Sequence, residues 1–135
     1  MRRFLLLTLT ALFFPHGADA QSPSRQPAAT TPAGVWRGTS LCLVRPSPCH
    51  DEIVVYRIAH TRPTDSVVID ARKIVGGEEE QMGVLNCVFT SSDGRLKCAI
   101  PHGTWQFRVR GDSLVGELRL SNNTKFRDVR AARAP

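Results

Sequence analysis

Turn-forming residues divide the chain after residue 34 into eight short segments, and this spacing constrains the fold more than any other feature. Apolar segments alternate with turns containing Pro, Gly, Asn or Asp about every 8–14 residues, which is typical of an all-β sandwich or barrel. Pro and Gly set the backbone angles of such turns, and Asn and Asp tolerate left-handed geometry. The predicted strands are 35–44, 52–60, 66–74, 80–90, 95–101, 104–110, 113–121 and 125–132.

The clearest strand signal lies in residues 104–110. Trp105, Phe107 and Val109 alternate with polar residues, so the apolar set faces a core and the polar set faces water. Short links favour antiparallel pairing of consecutive strands. The predicted fold is an all-β, antiparallel, eight-stranded meander. It closes into a small up-and-down barrel, which removes exposed edges, or forms a strongly curled sheet.

An eight-stranded barrel is near the size at which side chains fill the inside or leave room for one small ligand. Glu78, Glu79 and Glu80 follow Gly76-Gly77 and are predicted to lie in a solvated turn. Gly116 occupies a core-facing position, which indicates a bend or a close approach of another strand. The residues predicted to fill the interior are Trp36, Leu41, Val55, Ile69, Leu85, Phe89, Trp105, Phe107, Leu118 and Phe126.

The N-terminal segment has the pattern of a cleavable signal peptide, predicted over residues 1–20. Met1-Arg2-Arg3 precedes an apolar run from Phe4 to Phe14, and Ala18-Asp19-Ala20 has the small residues that signal peptidase accepts. A run of about eleven apolar residues is too short to span a bilayer, which takes about 20. The sequence therefore predicts a periplasmic or secreted protein with no stable membrane anchor after cleavage.

Residues 21–33 are rich in Ser, Pro, Ala and Thr and are predicted to form a flexible linker. Residues 34–135 are predicted to form a single all-β domain, which is within the usual size of one domain.

The whole chain has a formal charge of +6, which becomes +5 when Arg2, Arg3 and Asp19 are removed with the signal peptide. A basic chain can bind nucleic acid or an anionic membrane. Here the arginines occur one at a time along the strands, without a run of like charges. This distribution favours a generally basic surface over a dedicated basic patch, and no nucleic-acid partner is predicted.

Four cysteines, all after the predicted cleavage site, favour two disulfides in an exported chain. Three pairings are open. A four-residue turn centred between Ser92 and Asp93 places Cys87 opposite Cys98, near disulfide reach. Cys42 and Cys49 then close a small loop around Pro46 and Pro48. We prefer this local pairing, Cys42–Cys49 with Cys87–Cys98.

The sequence carries no recognised catalytic, metal or cofactor motif. No G-x-S-x-G elbow, phosphate loop or dinucleotide fingerprint is present. The cysteines lack the C-x-x-C spacing of redox sites and the spacing of common zinc knuckles. His50-Asp51-Glu52 is the densest ionisable cluster, but strand neighbours point to opposite faces. We therefore predict a non-enzymatic protein without metal or cofactor.

The Gly34-Val35-Trp36 motif at the first strand, followed by an antiparallel meander, resembles the lipocalins and the wider calycin superfamily. The pattern from Gly103-Thr104-Trp105 through residues 111–116 to Phe126-Arg127 is similar to small exported bacterial lipocalin-like proteins of unassigned function. The resemblance implies that Trp36 closes the barrel base under an arginine of a late strand. Arg127 and Arg130 are the candidates, of which we prefer Arg127. The chain departs from the family in having short strands, no C-terminal helix and no second motif.

Two functions follow as hypotheses. The first is a non-enzymatic barrel that binds a small apolar or amphipathic ligand, and the alternative is a protein–protein interaction module or inhibitor with an envelope partner. An enzyme whose site the sequence does not reveal is a third. A pocket needs a few convergent polar groups. The residues predicted to line it are Tyr56, Arg57, His50 and Arg108.

Overall fold

A computed structural model describes residues 31–135, so the predicted signal peptide and most of the predicted linker lie outside the described residues. Eight strands follow one another in chain order. They are β1 (Gly34–Cys42), β2 (Glu52–His60), β3 (Ser66–Val75), β4 (Glu78–Thr90), β5 (Arg95–Ile100), β6 (Gly103–Arg110), β7 (Ser113–Leu120) and β8 (Lys125–Arg133).

The strands form a closed antiparallel barrel in which each strand pairs with its sequence neighbours and β1 also pairs with β8. In the register of these pairings, Trp36 on β1 lies opposite Tyr56 on β2 and opposite Arg133 on β8. The all-β meander is therefore confirmed, and the closed barrel is the form it takes. Closure leaves no unpaired strand edge in this sheet.

The β3–β4 hairpin differs from the prediction, because Glu78 and Glu79 belong to strand β4 and not to a solvated turn, so that β4 begins two residues before the predicted start at Glu80. Gly76 and Gly77 alone make the turn, and both have positive φ angles (58° and 87°). A two-residue hairpin turn of type I′ requires this geometry at both positions. The glutamates then continue the ladder, with Glu79 opposite Ile74.

The core consists of side chains that alternate along every strand and face the barrel axis. Trp36, Ile69 and Leu114 are completely buried. Leu41 and Val55 were predicted to lie inside, but they are out of phase with Trp36 and Tyr56. By parity both belong to the outward-facing set, where Leu41 is 40% exposed but Val55 is buried, with 2% exposure.

Both disulfides of the preferred local pairing are present. Cys87 and Cys98 join β4 to β5 with a Cα–Cα distance of 4.2 Å. Cys42 and Cys49 close the β1–β2 loop at 5.9 Å. Asp51 orders the same loop, because its Oδ1 accepts a hydrogen bond from the Cys42 N–H at 2.8 Å. Two disulfides indicate an oxidising, extracytoplasmic environment.

Candidate functional site

One end of the barrel, here called the base, is sealed by Trp36 and Arg133. The base is formed by the start of β1, the end of β8 and the loops that join β2 to β3, β4 to β5 and β6 to β7. The guanidinium carbon of Arg133 lies 4.2 Å from the centre of a Trp36 ring. The indole N–H donates to the carbonyl of Pro32 at 2.9 Å. The indole N–H of Trp36 therefore has a hydrogen-bond acceptor, and the Arg133 guanidinium has an aromatic contact.

Arg133 also ties the entering chain to the barrel. Its Nη1 donates to the Ala33 carbonyl at 2.6 Å, and its Nη2 donates to the Thr31 carbonyl at 2.9 Å. Pro32 is buried. Thr31, Pro32 and Ala33, the last three residues of the predicted linker, therefore contact the base.

Arg127 does not cover Trp36, although the resemblance had assigned it to the base. Trp36 pairs with Arg133, whereas Arg127 pairs with Cys42 at the other end of β1. Six residues of strand separate the two arginines, about 20 Å at 3.3 Å per residue. Arg127 and Arg133 are an even number of residues apart on β8, so both side chains face inward. The register between β1 and β8 therefore determines which arginine contacts Trp36.

The opposite end of the barrel, here called the mouth, holds a polar cluster of Ser40, Glu52 and Arg127. Arg127 Nη1 donates to Ser40 Oγ at 3.1 Å and lies 3.3 Å from Glu52 Oε2. The side chains of Arg127 and Glu52 are each only 14% exposed. This ion pair is the most buried one among residues 31–135.

Both contacts of Arg127 use one nitrogen, and Nε and Nη2 have no partner among the described residues. In that part of the chain no buried side-chain nitrogen or oxygen lacks a hydrogen-bond partner. Nε and Nη2 therefore remain accessible to solvent. A guanidinium presents its donors as a planar fork that suits carboxylate, sulfate or phosphate oxygens.

An apolar row continues from Arg127 across the inner face at the same level of the barrel. Arg127 pairs with Leu118, and Leu118 pairs with Trp105. Trp105 is half-buried and packs against the core. Two strand spacings, about 10 Å, separate the cation from the indole. The mouth is therefore amphipathic, with a polar side on β1, β2 and β8 and an apolar side on β6 and β7.

Phe107 fills the middle of the barrel below the mouth. Its ring stacks on Trp105 with centroids 5.3 Å apart and meets the edge of Tyr56 at 5.7 Å. Gly116 makes this possible, because a Cβ at that position would collide with the Phe107 ring. The neighbour that needs a glycine at position 116 is therefore the Phe107 ring from the paired strand β6, and not the predicted bend or the approach of a further strand.

Tyr56 lies beneath the polar cluster and is almost fully buried. Burial raises the pKa of its phenol above the ordinary range; the positive charge of Arg127 opposes this, and the negative charge of Glu52 adds to it. The neutral phenol is therefore the form that the folded barrel holds.

Tyr56 is expected to stay protonated well above the ordinary tyrosine pKa of about 10. It is the only tyrosine of the chain, so tyrosinate absorbance reports this residue alone. Because its pKa is raised on folding, its contribution to stability is complete below about pH 10 and declines as the pH rises toward the folded-state pKa. An alkaline titration, with guanidinium-unfolded protein as the control, measures both values. Equal midpoints in the two states would contradict the burial argument.

The four residues predicted to line a pocket do not come together. Tyr56 faces the interior, whereas Arg57, its neighbour on β2, faces outward and pairs with Glu79 Oε2 at 2.7 Å. Arg108 lies on the outer face of β6, opposite Val115. His50 lies exposed in the β1–β2 loop, with Nδ1 3.3 Å from the Pro48 carbonyl oxygen. Of the four, Tyr56 alone faces the interior, where it lies beneath the mouth, and His50 lies at the mouth end of the barrel but in an exposed loop.

Sequence reasoning missed Ser40, whereas it named Glu52 within the His50-Asp51-Glu52 cluster but did not assign it to an inner face. Glu52 has the same strand parity as Val54 and Tyr56, which places a carboxylate on an inner face and is the signal that could have found it.

In residues 31–135, no group of three or more His, Cys, Asp or Glu side chains is placed to hold a metal ion. The same residues contain no helix long and apolar enough to cross a membrane.

No protein-family model matches the sequence, and a search of curated proteins finds no match. The barrel is compatible with a lipocalin-like fold through its eight antiparallel strands in meander order and its sealed base.

Proposed function

We propose that this chain is an exported, non-enzymatic, lipocalin-like barrel that binds the anionic head group of a small amphipathic ligand at its mouth. The observation that carries this proposal is the inward-facing Arg127, which uses only Nη1 for its protein contacts. The remaining nitrogens offer two parallel N–H donors to a carboxylate, sulfate or phosphate.

The apolar part of the ligand lies along Leu118 and Trp105, which continue the same inner row. Because Phe107 and Tyr56 fill the axis, the ligand rests in the mouth and does not enter a deep cavity. The site residues of this proposal are therefore Arg127, Ser40, Glu52, Leu118 and Trp105.

Export to the periplasm or the cell exterior is part of the proposal. The signal-peptide pattern of residues 1–20 and the two disulfides support it. The proposal assigns the protein to the calycin superfamily on the Gly34-Val35-Trp36 motif, the closed meander and the Arg133 cover over Trp36.

Replacing Arg127 by glutamine is expected to weaken binding of an anionic amphiphile by about 10- to 100-fold. A hydrogen bond to a charged group contributes about 1.5–3 kcal/mol, and each 1.4 kcal/mol is tenfold in affinity. The probe is dodecanoate, measured by titration calorimetry and by tryptophan fluorescence, to which Trp36 and Trp105 both contribute, with dodecanol as the neutral-head comparison. Wild-type protein should prefer dodecanoate, and the Arg127→Gln variant should not.

The matched control is Arg62→Gln, which removes the same charge at an exposed position of the β2–β3 loop, at the base of the barrel. Since Arg127→Gln leaves Glu52 without its partner, the double variant Glu52→Gln/Arg127→Gln separates ligand binding from folding. Failure of the wild-type protein to bind dodecanoate, or equal losses in Arg127→Gln and Arg62→Gln, would overturn the proposal.

The filled centre of the barrel favours a second candidate function, a protein–protein interaction module or inhibitor with an envelope partner. Native mass spectrometry of the mature protein, purified gently from its own compartment, distinguishes the two. A bound small molecule supports the ligand-binding barrel, and a protein without ligand supports the interaction module.

A further inference from the structure

Four arginines that lie far apart in the sequence share one outer surface of the barrel. Arg108 and Arg110 lie on β6, Arg130 lies on β8, and Arg37 lies on β1. Arg108 and Arg130 are both register partners of Val115 on β7, one on each side. We call this surface, Arg37, Arg108, Arg110 and Arg130 around Val115, the arginine face.

Register and parity bring these side chains together. Arg110 is two residues from Arg108 and therefore lies on the same side of β6, about 7 Å away along the strand. Arg110 pairs with Ser113, Ser113 with Ala132, and Ala132 with Arg37. The arginine face therefore spans strands β6 to β8 and β1 as two adjacent rows.

None of the four arginines has an ion-pair partner among residues 31–135. Arg37, Arg110 and Arg130 are exposed, and Arg108 is half-buried. Unpaired cations placed close together repel one another, which costs free energy unless a counter-charge is bound. The arginine face therefore fits an anionic partner.

The barrel's own carboxylates are not that partner, because most of them are already engaged. Glu79 pairs with Arg57 and Arg72. Hydrogen bonds from Gln81 and Arg72 hold the pKa of Asp70 below its usual value. A second copy of the chain would have to break such pairs to reach the arginines.

The shape and composition of the arginine face favour a broad anionic surface over a single polyanionic strand. A depression of about 280 Å³ adjoins the face, and Glu117 and Asp128 lie in its wall. These carboxylates would repel a polyanion lying in the groove. Val115, at the centre of the arginines, is 46% exposed and offers an apolar contact. Arginine stems can lie along apolar surface while their guanidinium groups reach phosphates.

We propose that the arginine face binds peripherally and reversibly to the anionic phospholipid head groups of a bilayer surface. Each basic residue close to an anionic membrane contributes about a fivefold increase in partitioning, and salt screens the attraction. This binding needs no membrane anchor and is separate from the ligand site at the mouth.

The test is sedimentation of the mature protein with vesicles made of equal parts phosphatidylglycerol and phosphatidylcholine, compared with vesicles of phosphatidylcholine alone. Wild-type protein should bind only the anionic vesicles and should be released by salt. The double variant Arg108→Gln/Arg130→Gln should bind about 25-fold more weakly, because two fivefold contributions are lost.

The matched control is Arg45→Gln/Arg62→Gln, which changes the net charge equally at two exposed positions outside the arginine face. Equal losses in the two double variants would overturn the proposal, because net charge alone would then explain binding. If the wild-type protein bound heparin but did not bind the anionic vesicles, the proposal would also be overturned, and the partner would be an anionic polysaccharide.

Discussion

The Trp36→Ala variant is expected to lose about 3–5 kcal/mol of unfolding free energy, as large aromatic truncations in cores do. Trp36 is completely buried, carries the Arg133 guanidinium on its ring and donates to Pro32. Its loss opens a cavity at the base and leaves Arg133 without its aromatic contact. Urea unfolding followed by far-UV circular dichroism measures the change.

Two comparisons interpret the Trp36 result. Trp105→Phe, a milder change at a half-buried tryptophan, should cost less than about 1.5 kcal/mol. Arg133→Gln removes the guanidinium group above the ring and keeps the indole. Its loss of unfolding free energy therefore measures the contribution of the Arg133 cation. A Trp36→Ala variant as stable as Trp105→Phe would show that the base does not depend on the tryptophan.

The Phe107→Ala variant is expected to lose a similar amount, about 3–5 kcal/mol, because it empties the barrel axis. Phe107 contacts both Trp105 and Tyr56 through its ring. The complementary change, Gly116→Ala, overpacks the same space and should cost about 1–3 kcal/mol. The measurement is the urea unfolding free energy of each variant.

A double-mutant cycle connects the two positions. A Cβ at Gly116 collides with the Phe107 ring, so Phe107→Leu should relieve part of the Gly116→Ala cost. Contacting residues show coupling of about 0.5–3 kcal/mol. Val115→Ala, at the exposed neighbour on β7, is the control and should show no coupling to Phe107→Leu. If the losses of unfolding free energy in Gly116→Ala and Phe107→Leu were additive, the contact between these two positions would be contradicted.

The strand pattern was readable from the sequence because alternation and turn residues are local signals. Trp105, Phe107 and Val109 were predicted on one face, and Phe107 and Val109 are buried in the core. Prediction was wrong where a local signal was ambiguous: Glu78 and Glu79 were assigned to a turn by their charge, although Gly76-Gly77 suffices to make the hairpin. Leu41 was placed inside by hydrophobicity alone, against the parity of Trp36.

The candidate site was less predictable because it depends on register between distant strands. Nothing local distinguishes Arg127, which points into the mouth, from Arg133, which covers Trp36. The pairing of β1 with β8 decides this. The same holds for the arginine face, whose members occur singly in the sequence and become neighbours only through the pairings of β6, β7, β8 and β1.

The pairing of β1 with β8 also determines the order in which this protein can fold. Ala33 and Arg133 meet at the base although they are 100 positions apart. The barrel therefore cannot close until its last strand is available, and such non-local contacts slow folding. The cysteine pairs are only 7 and 11 positions apart. Oxidation can thus precede closure, so that each hairpin or loop is covalently held while the chain waits for β8.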